Sequence, residues 1–495
     1  MNPSRRTALV IAVYLGSFMA TLDVSIVTVA LPTMQHVLQT DMSGLQWIVD
    51  IYALCLSALM LSAGAIGDRY GRKKSWLAGA LVFTLGSALC GLASGLPTLL
   101  AGRAVQGVGA ALLIPGALSI LTHAFPNPGE RARIIGGWSS FTALSLVVGP
   151  VLGGLLVEHA GWSSIFLINL PIGLMAMWLG AWGIPETSHP AEAALDPLGQ
   201  VLSVLWLGAL AYGMISANEQ GWASTATLAP LSIGGIGFAA FLLAQATVAR
   251  PLLPLSMFRN AGFSVINFSS FVLGFSAYNS VFFLPLFFQQ VQGWTPSQTG
   301  WALTPQFASM SLLASFFGRI AQRHGLRNAM AAGYGLIGAA LLALAAIGPH
   351  ASYPLVGAIL VVLGAGMGLA IPASGAAIMA TVPKERSGMA SSTTNAIRQT
   401  GVTLGIALLA TLMTGTASTR LAQEFQEAGV PDAAHAAYMA LSQNKALHVA
   451  GLDAARAMEL FVQAYMSGFH VVMACAATLA LIAAALLMRI RLAEG

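Results

Sequence analysis

The sequence predicts an all-α integral membrane protein with fourteen transmembrane helices, arranged as two six-helix bundles and one inserted helix pair. Three observations predict this fold class. The 495 residues are 57% hydrophobic and only 8% charged, whereas a soluble domain carries about 25% charged residues. The apolar residues form runs long enough to cross a bilayer, and the chain repeats itself at an offset of about 254 residues. An outer-membrane barrel would alternate polar and apolar residues instead.

Fourteen segments have the length that a membrane-spanning helix needs, which is about 20 apolar residues. The predicted spans are residues 8–31, 46–66, 76–94, 98–121, 134–157, 163–184, 198–216, 227–248, 263–289, 299–320, 328–347, 354–380, 388–414 and 462–488. The first span follows Arg5 and Arg6 and is too long for the core of a signal peptide. We therefore expect an uncleaved first helix.

The lysines and arginines support this count and predict that both termini are cytoplasmic. On that topology the six short outer loops carry no Lys or Arg, and the long external loop 415–461 carries only Arg420, Lys445 and Arg456. The basic residues of the inner segments are Arg5, Arg6, Arg69, Arg72, Lys73, Lys74, Arg131, Arg133, Arg250, Arg259, Arg319, Arg323, Arg327, Lys384, Arg386, Arg489 and Arg491. Inner loops typically carry this excess, so the net charge of +5 indicates topology and no nucleic-acid partner.

Six short matches, in the same order, relate the two halves of the chain. The matches are QGVGAALLIP (106–115) with LGAGMGLAIP (363–372), PGER (128–131) with PKER (383–386), GDRYGRK (67–73) with AQRHGLR (321–327), Gly149 and Gly153 with Gly401 and Gly405, Trp47 with Trp301, and Leu31-Pro32 with Leu284-Pro285. We predict one bundle over 1–185, the inserted helix pair and linkers over 186–250, and the second bundle over 251–495. Two parallel six-helix repeats with a site between them are typical of transporters that rock.

Four motifs place the chain by resemblance. GAIGDRYGRKKSWLAG (64–79), GRAVQGVGAALLIPG (102–116), GPVLGG (149–154) and LDVSIVTVALP (22–32) resemble signature motifs of the Major Facilitator Superfamily. The last motif, the fourteen spans and the central helix pair resemble its fourteen-helix drug:proton antiporter family. The resemblance implies the two-bundle fold of that superfamily and the export of small, usually lipophilic molecules coupled to proton entry. It implies no cofactor, since the proton gradient supplies the energy.

The loop between the second and third helices is expected to latch the bundles in one state, as it does in family members. The latch residues are Gly64, Asp68, Arg69, Gly71, Arg72 and Lys73. The glycines permit close packing and a tight turn, and Asp68 can accept from a helix N-terminus or pair with an arginine. The alternative is a topology signal with lipid-headgroup contact.

In the fifth helix, a seam of Gly149, Pro150, Gly153 and Gly154 permits close helix approach and a bend. The seam is expected either to serve simple packing or to form a flexible boundary between the bundles.

Asp23 lies inside the first predicted span, where a carboxylate costs about 2.5–3.5 kcal/mol on insertion scales. Counting 1.5 Å per residue places Asp23, Asp50 and Arg103 about 10, 6 and 8 Å below the outer boundary, a similar level at which they could form one polar cluster. An intramembrane carboxylate is a proton-relay candidate. We therefore predict proton coupling at these three residues. The alternatives are a structural Asp23–Arg103 ion pair and, for Asp50, a solvated helix start.

The second bundle is expected to supply the substrate cavity. Phe268, Phe271, Phe275, Tyr278 and Phe282 recur at steps of three and four, which predicts one aromatic helix face. Such a wall would suit flat lipophilic or cationic molecules through stacking and cation–π contact; the alternative is packing or lipid contact. The thirteenth helix adds Asn395, Arg398 and Gln399 and no acid. Arg398 is expected either to bind an anionic group of a substrate or to pair with backbone carbonyls.

These observations predict proton-coupled efflux of small lipophilic compounds, cationic or aromatic, by alternating access. The alternatives are export of a specific endogenous metabolite, or a membrane sensor that does not transport. The sequence shows no metal-ligand set, no nucleophile–base pair within the spans and no phosphate-binding loop, so an enzyme and an ATP-driven pump are not predicted. The expected partners are a small-molecule substrate, protons and membrane lipid. We expect a functional monomer in a bacterial-type inner membrane, crossing it many times.

Overall fold

We describe a computed structural model of the chain over residues 2–188, 196–248, 251–253, 255–382, 387–443 and 452–490. Within these ranges every regular element is a helix. The PKER match lies outside the described residues. So do five of the basic residues used to predict the topology, which are Arg250, Lys384, Arg386, Lys445 and Arg491.

Fourteen helices of spanning length follow the predicted order. They are α1 (Pro3–Leu38), α2 (Met42–Tyr70), α3 (Arg72–Gly91), α4 (Leu96–Ala124), α5 (Pro128–Ala160), α6 (Ser164–Gly183, with a break at Ile168), α7 (Pro197–Gln220), α8 (Thr225–Thr247), α9 (Ala261–Val291), α10 (Pro296–His324), α11 (Leu326–Leu344), α12 (Tyr353–Ala380), α13 (Ser387–Glu427) and α14 (Ala454–Arg489). In the described part of the chain, thirteen are apolar enough to cross a membrane; α10 is long enough but more polar.

The repeat is visible in how equivalent glycines pack. In the first bundle, Gly149 and Gly153 of α5 leave no room for a Cβ against Ile26 and its neighbour on α1. In the second bundle, Gly401 and Gly405 of α13 lie equally close to α9. The same spacing of small residues therefore joins the first and fifth helices of each bundle, which explains the match in the sequence.

The two loops that follow α2 and α10 share a turn. Gly71 has φ 108° and Gly325 has φ 80°, values that a side chain with a Cβ rarely adopts. These are the corresponding glycines of GDRYGRK and AQRHGLR. The end of the molecule that carries both turns is here called the inner end, after the predicted topology, and the opposite end the outer end.

The inserted pair α7–α8 lies beside the seam between the bundles. The two helices pack on each other, and α7 contacts both α2 and α13. The Tyr212 ring of α7 lies 6.1 Å from that of Trp47 on α2. On the other side, the Thr411 hydroxyl of α13 donates to the Met214 carbonyl of α7 at 2.9 Å. Helix α7 therefore connects α2 of the first bundle with α13 of the second.

The segment 415–461, predicted as a long external loop, is helical over much of its described length. α13 continues as a helix to Glu427, and a second helix spans Ala433–Gln443. The side chain of Glu424 is 8% exposed and pairs with Arg420 at 2.8 Å. The physical reason is that polar residues at helical spacing continue a helix beyond the bilayer without continuing its hydropathy.

The prediction of one aromatic face on α9 is wrong. Two π-helical stretches, Gly274–Tyr278 and Phe287–Val291, interrupt the helix. A π turn contains an extra residue, so steps of three and four no longer return to the same side. Phe268 is 37% exposed on the surface of the protein, while Phe275 is buried in the core.

Candidate functional site

A cavity of about 1420 Å³ lies between the two bundles. Its walls come from α1, α2, α4 and α5 of the first bundle and from α9, α10, α12 and α13 of the second. It extends from Arg103 and Tyr278 to the inner end, where Asp68, His123 and Leu252 line it. The volume exceeds the roughly 300–1,000 Å³ typical of small-molecule pockets, so a bulky or hydrated ligand fits.

The outer end is closed by direct contact of the bundles. Gly300 of α10 packs on the Pro150 carbonyl of α5, and Gly154 packs on the start of α10; neither leaves room for a Cβ. Between α9 and α1, Gln289 Nε2 donates to the Val29 carbonyl at 2.9 Å, and Gln290 Nε2 donates to Gln35 at 2.6 Å. The structure is therefore closed outside and open toward the inner end.

Asp23 and Arg103 form a buried ion pair beside this cavity. Their side chains are 0% and 1% exposed. Arg103 Nη1 donates to Asp23 Oδ2, and Arg103 Nε donates to the Ile48 carbonyl at 2.9 Å. Arg103 lines the cavity while Asp23 lies behind it. The structure thus brings together two of the three residues predicted to form a polar cluster.

Two further residues, which the sequence did not single out, complete this pair. Gln106 Nε2 donates to Asp23 Oδ1 at 3.0 Å, and Gln106 Oε1 accepts from Arg103 Nη1 at 2.8 Å. The Tyr52 ring lies 4.4 Å from the guanidinium carbon of Arg103. The signal for Gln106 was present in the sequence, since a glutamine three residues after Arg103 shares its helix face.

Asp50 is separate from this pair. Its side chain is fully buried, and neither carboxyl oxygen has a hydrogen-bond partner in the described part of the chain. The expected alternative of a solvated helix start is wrong, because α2 begins at Met42 and is capped by Asp41, which accepts from the Gly44 amide at 2.9 Å. An unpaired buried carboxylate costs far more than the neutral acid.

The residues of the predicted latch contact one another and the segment that follows α6 in this structure. Arg72 pairs with Asp68 at 2.6 Å, and its amide donates to the Thr187 carbonyl at 2.9 Å. Gly64 faces open space at the inner mouth of the cavity. The guanidinium carbon of Arg69 lies over the ring of Tyr70, 5.8 Å from the ring centroid.

Glu186, which the sequence did not indicate, holds the start of α3. Its carboxylate accepts from the amides of Lys73 and Lys74 at 3.2 and 3.3 Å, and it fills the space beside Gly71 that a Cβ would need. Lys73 Nζ donates to the Ala181 carbonyl at 2.6 Å. A carboxylate at a helix N-terminus is stabilised by the unpaired amides and the helix dipole.

The four residues of the α5 seam serve two different neighbours. Gly149 and Gly153 face α1 within the first bundle, whereas Pro150 and Gly154 face α10 of the second bundle. The seam therefore joins the internal packing of one bundle to the outer closure between both. Gly300, the partner of Pro150, is a residue that the sequence did not single out.

On the second bundle's side, five of the predicted residues line the cavity: Tyr278, Phe282, Asn395, Arg398 and Gln399. Phe271 and Phe275, expected beside them, do not. Their rings stack on each other, with centroids 6.0 Å apart, and Phe275 is buried in the core. The π turn at Gly274–Tyr278 accounts for this split, because it rotates the helix between Phe275 and Phe282.

Comparisons with known proteins agree with this architecture. The family model described as Major Facilitator Superfamily matches residues 13–259 and 266–425. A solved bacterial homologue of the human lysosomal transporter Spinster, inward-facing and occupied, aligns with a TM-score of 0.64 at 18% identity, covering 99% of this chain and 97% of that one. The nucleoside transporter NupG aligns with a TM-score of 0.63 at 11% identity, covering 97% and 99%.

Characterised relatives include resistance proteins. The multidrug resistance protein Stp of Mycobacterium tuberculosis is 34% identical over 91% of this chain and 84% of its own length. The methylenomycin A resistance protein of Bacillus subtilis is 34% identical over 81% and 86%. The riboflavin transporter RibZ of Clostridioides difficile is 31% identical over 80% and 86%.

Proposed function

The chain belongs to the Major Facilitator Superfamily and is a multi-pass inner-membrane protein, and from that premise we propose that it exports small lipophilic aromatic compounds in exchange for protons. One observation carries the proposal: the fully buried pair of Asp23 and Arg103, with Arg103 on the wall of the cavity between the bundles. Drug resistance proteins among its relatives support the direction of transport.

The proton site is Asp23. In the inward-open arrangement both of its oxygens accept hydrogen bonds, one from Arg103 and one from Gln106, which stabilises the carboxylate. When the cavity opens outward, a proton on Asp23 would replace the Arg103 contact and leave that guanidinium free toward the cavity. Release of the proton inside would restore the pair. Alternating access thus couples the state of one carboxylate to the side on which the cavity opens.

The proposal covers aromatic substrates and not specifically cationic ones. An accessible carboxylate would favour a cationic substrate most strongly, but Asp23 lies behind the wall, engaged by Arg103, and Asp68 is paired with Arg72. Aromatic rings are present on the wall, including Trp138, Tyr278 and Phe282. Rings of this kind bind flat apolar molecules through stacking.

The test uses inverted membrane vesicles energised to an acid interior. Aromatic compounds are added one at a time and the pH gradient is followed for the native protein and for Asp23→Asn. The expected result is that substrates dissipate the gradient only with native protein. Asp432→Asn, at an exposed loop position, is the matched control and should behave as native.

A purely structural ion pair makes a different prediction. Removing one partner of a buried pair costs about 3–5 kcal/mol, so Asp23→Asn alone could lose activity by unfolding. The double variant Asp23→Asn with Arg103→Gln removes both charges and restores neutrality. If the folded double variant still exchanges protons for substrate, Asp23 is not the proton carrier and the proposal is refuted.

Similarity to a riboflavin transporter favours a second candidate, the transport of one specific metabolite. The two candidates differ in breadth. With a dedicated transporter, only one compound in a panel of unrelated aromatic molecules should dissipate the vesicle pH gradient. With a multidrug exporter, several compounds should dissipate it.

A further inference from the structure

Among the described residues on the cavity wall, one guanidinium has no carboxylate partner. The Asp, Glu, His, Lys and Arg side chains of the described residues on this wall are Asp68, Arg103, His123 and Arg398. Asp68 pairs with Arg72 and Arg103 with Asp23. Arg398 makes no ion pair with any described residue. The second bundle's half of the cavity wall therefore presents a net positive charge.

Arg398 also has unused hydrogen-bonding capacity. A guanidinium offers five N–H donors. Nη2 donates to Asn395 Oδ1 at 2.7 Å, while Nε is buried and has no partner among the described residues. A buried donor without an acceptor is costly, and because Arg398 lines the cavity, a shift of its side chain toward an acceptor bound there would remove that cost.

The π-helical stretch of α9 brings an aromatic ring to this arginine. Gly274, where the stretch begins, packs directly on the Arg398 carbonyl with no room for a Cβ. At its end, the Tyr278 ring lies 5.7 Å from the guanidinium carbon. Phe282 lines the cavity one turn further. Such π turns are often found at functional sites, and here the turn rotates Tyr278 out of the core and toward Arg398.

Resting on the proposed export function, we propose that Arg398, Tyr278 and Phe282 select substrates that join a flat aromatic ring to an acidic group, a carboxylate or an ionised phenol. The acid accepts from the free edge of the guanidinium in a charge-assisted hydrogen bond. The ring lies against the aromatic side chains. A structural tether is the competing explanation, in which Asn395 and Tyr278 merely hold Arg398 and no ligand depends on its charge.

A matched pair of probes separates these explanations. 2-Naphthoate and 2-naphthamide have nearly the same shape and differ in charge. Binding to the purified full-length protein is measured through tryptophan fluorescence, since Trp138 lines the cavity. The native protein should prefer the acid by about tenfold or more. Arg398→Gln should abolish the preference while naphthamide affinity stays within about twofold, and Arg398→Lys should retain part of it.

Arg319→Gln is the control for loss of one positive charge. Arg319 is exposed on α10 and lies against Phe316, outside the cavity wall, so its replacement should leave the preference unchanged. Equal affinity of native protein for the two probes overturns the inference, as does an acid preference that survives in Arg398→Gln. If neither 2-naphthoate nor 2-naphthamide binds, the inference is overturned as well.

Failure of this inference and failure of the export proposal give different results. If naphthamide dissipates the vesicle pH gradient through native protein but the acid is not preferred, export stands and the role of Arg398 falls. If the acid binds preferentially through Arg398 but neither probe is exchanged for protons, the anion site stands and proton-coupled export falls.

Discussion

The outer closure offers a perturbation whose size can be worked from the structure. Gly300 of α10 packs on the Pro150 carbonyl of α5 so closely that an added Cβ cannot fit unless the helices separate. A hydrogen bond lies beside this contact, since the Ser297 amide donates to Glu158 at 3.3 Å. Overpacking a close contact costs about 1–3 kcal/mol. Gly300→Ala should raise the energy of the closed outer end by that amount.

The expected result is a shift of the conformational equilibrium toward an open outer end. A change of about 1–3 kcal/mol corresponds to about 5–150-fold in the ratio of the two states. Gly318→Ala on the same helix is the matched control, because nothing lies within 4 Å of a Cβ built there. It should leave the equilibrium unchanged.

The assay is pulsed electron spin resonance between labels at the outer end. His159 at the end of α5 and His350 before α12 are exposed and belong to different bundles, so each can be replaced by a labelled cysteine. Cys55 and Cys475, which are partly exposed, would be changed to serine. The longer-distance population should grow in Gly300→Ala. A distance distribution identical to that of the unmutated sequence would refute the argument that this contact holds the outer end closed.

Three smaller perturbations test other parts of the site. Asp50→Leu should raise thermal stability, by about 1–3 kcal/mol, because it removes a buried polar group without a partner; a lower melting temperature would point to an unrecognised partner. Tyr52→Phe should leave proton exchange nearly unchanged, since only the 3.2 Å bond to the Ala20 carbonyl is lost, whereas Tyr52→Leu should weaken it by removing the ring from Arg103. Glu186→Gln should lower stability by about 0.3–1 kcal/mol, an effect that should shrink in high salt, as chemical denaturation would show.

The helix count, the repeat and the similar depth of Asp23 and Arg103 could be predicted from the sequence, whereas the contact between these two side chains could not. Each predicted feature follows from a regular rule. Bilayer thickness sets span length, duplicated packing preserves glycine spacing, and depth can be counted along a helix at about 1.5 Å per residue. Depth alone does not say which way each side chain points around its helix, so the ion pair itself had to come from the structure.

The features that escaped prediction depend on tertiary contacts. The π turn that separates Phe275 from Tyr278 has no local sequence signal. Its extra residue is accommodated where α13, a helix distant in sequence, packs against Gly274. The continuation of α13 to Glu427 escaped because hydropathy reports where the apolar stretch ends and not where the helix ends. Glu186 escaped because its partners, at the start of α3, lie more than one hundred residues away in the chain.

Under the proposed exchange of substrate for protons, the charge on the substrate determines how strongly the membrane potential drives export. For one proton per substrate, exchange for a neutral molecule moves one positive charge inward, and exchange for an anion moves two. Each charge is worth about 2.3 kcal/mol per 100 mV, so an anion gains about 4.6 kcal/mol, and an exchanged monovalent cation gains none. In proteoliposomes with a potassium-diffusion potential and no pH gradient, naphthoate export should therefore respond to voltage about twice as steeply, on a logarithmic scale, as naphthamide export. Equal slopes for the two probes would mean that the acid crosses as its neutral form, and Arg398 would then have no charge to recognise during transport.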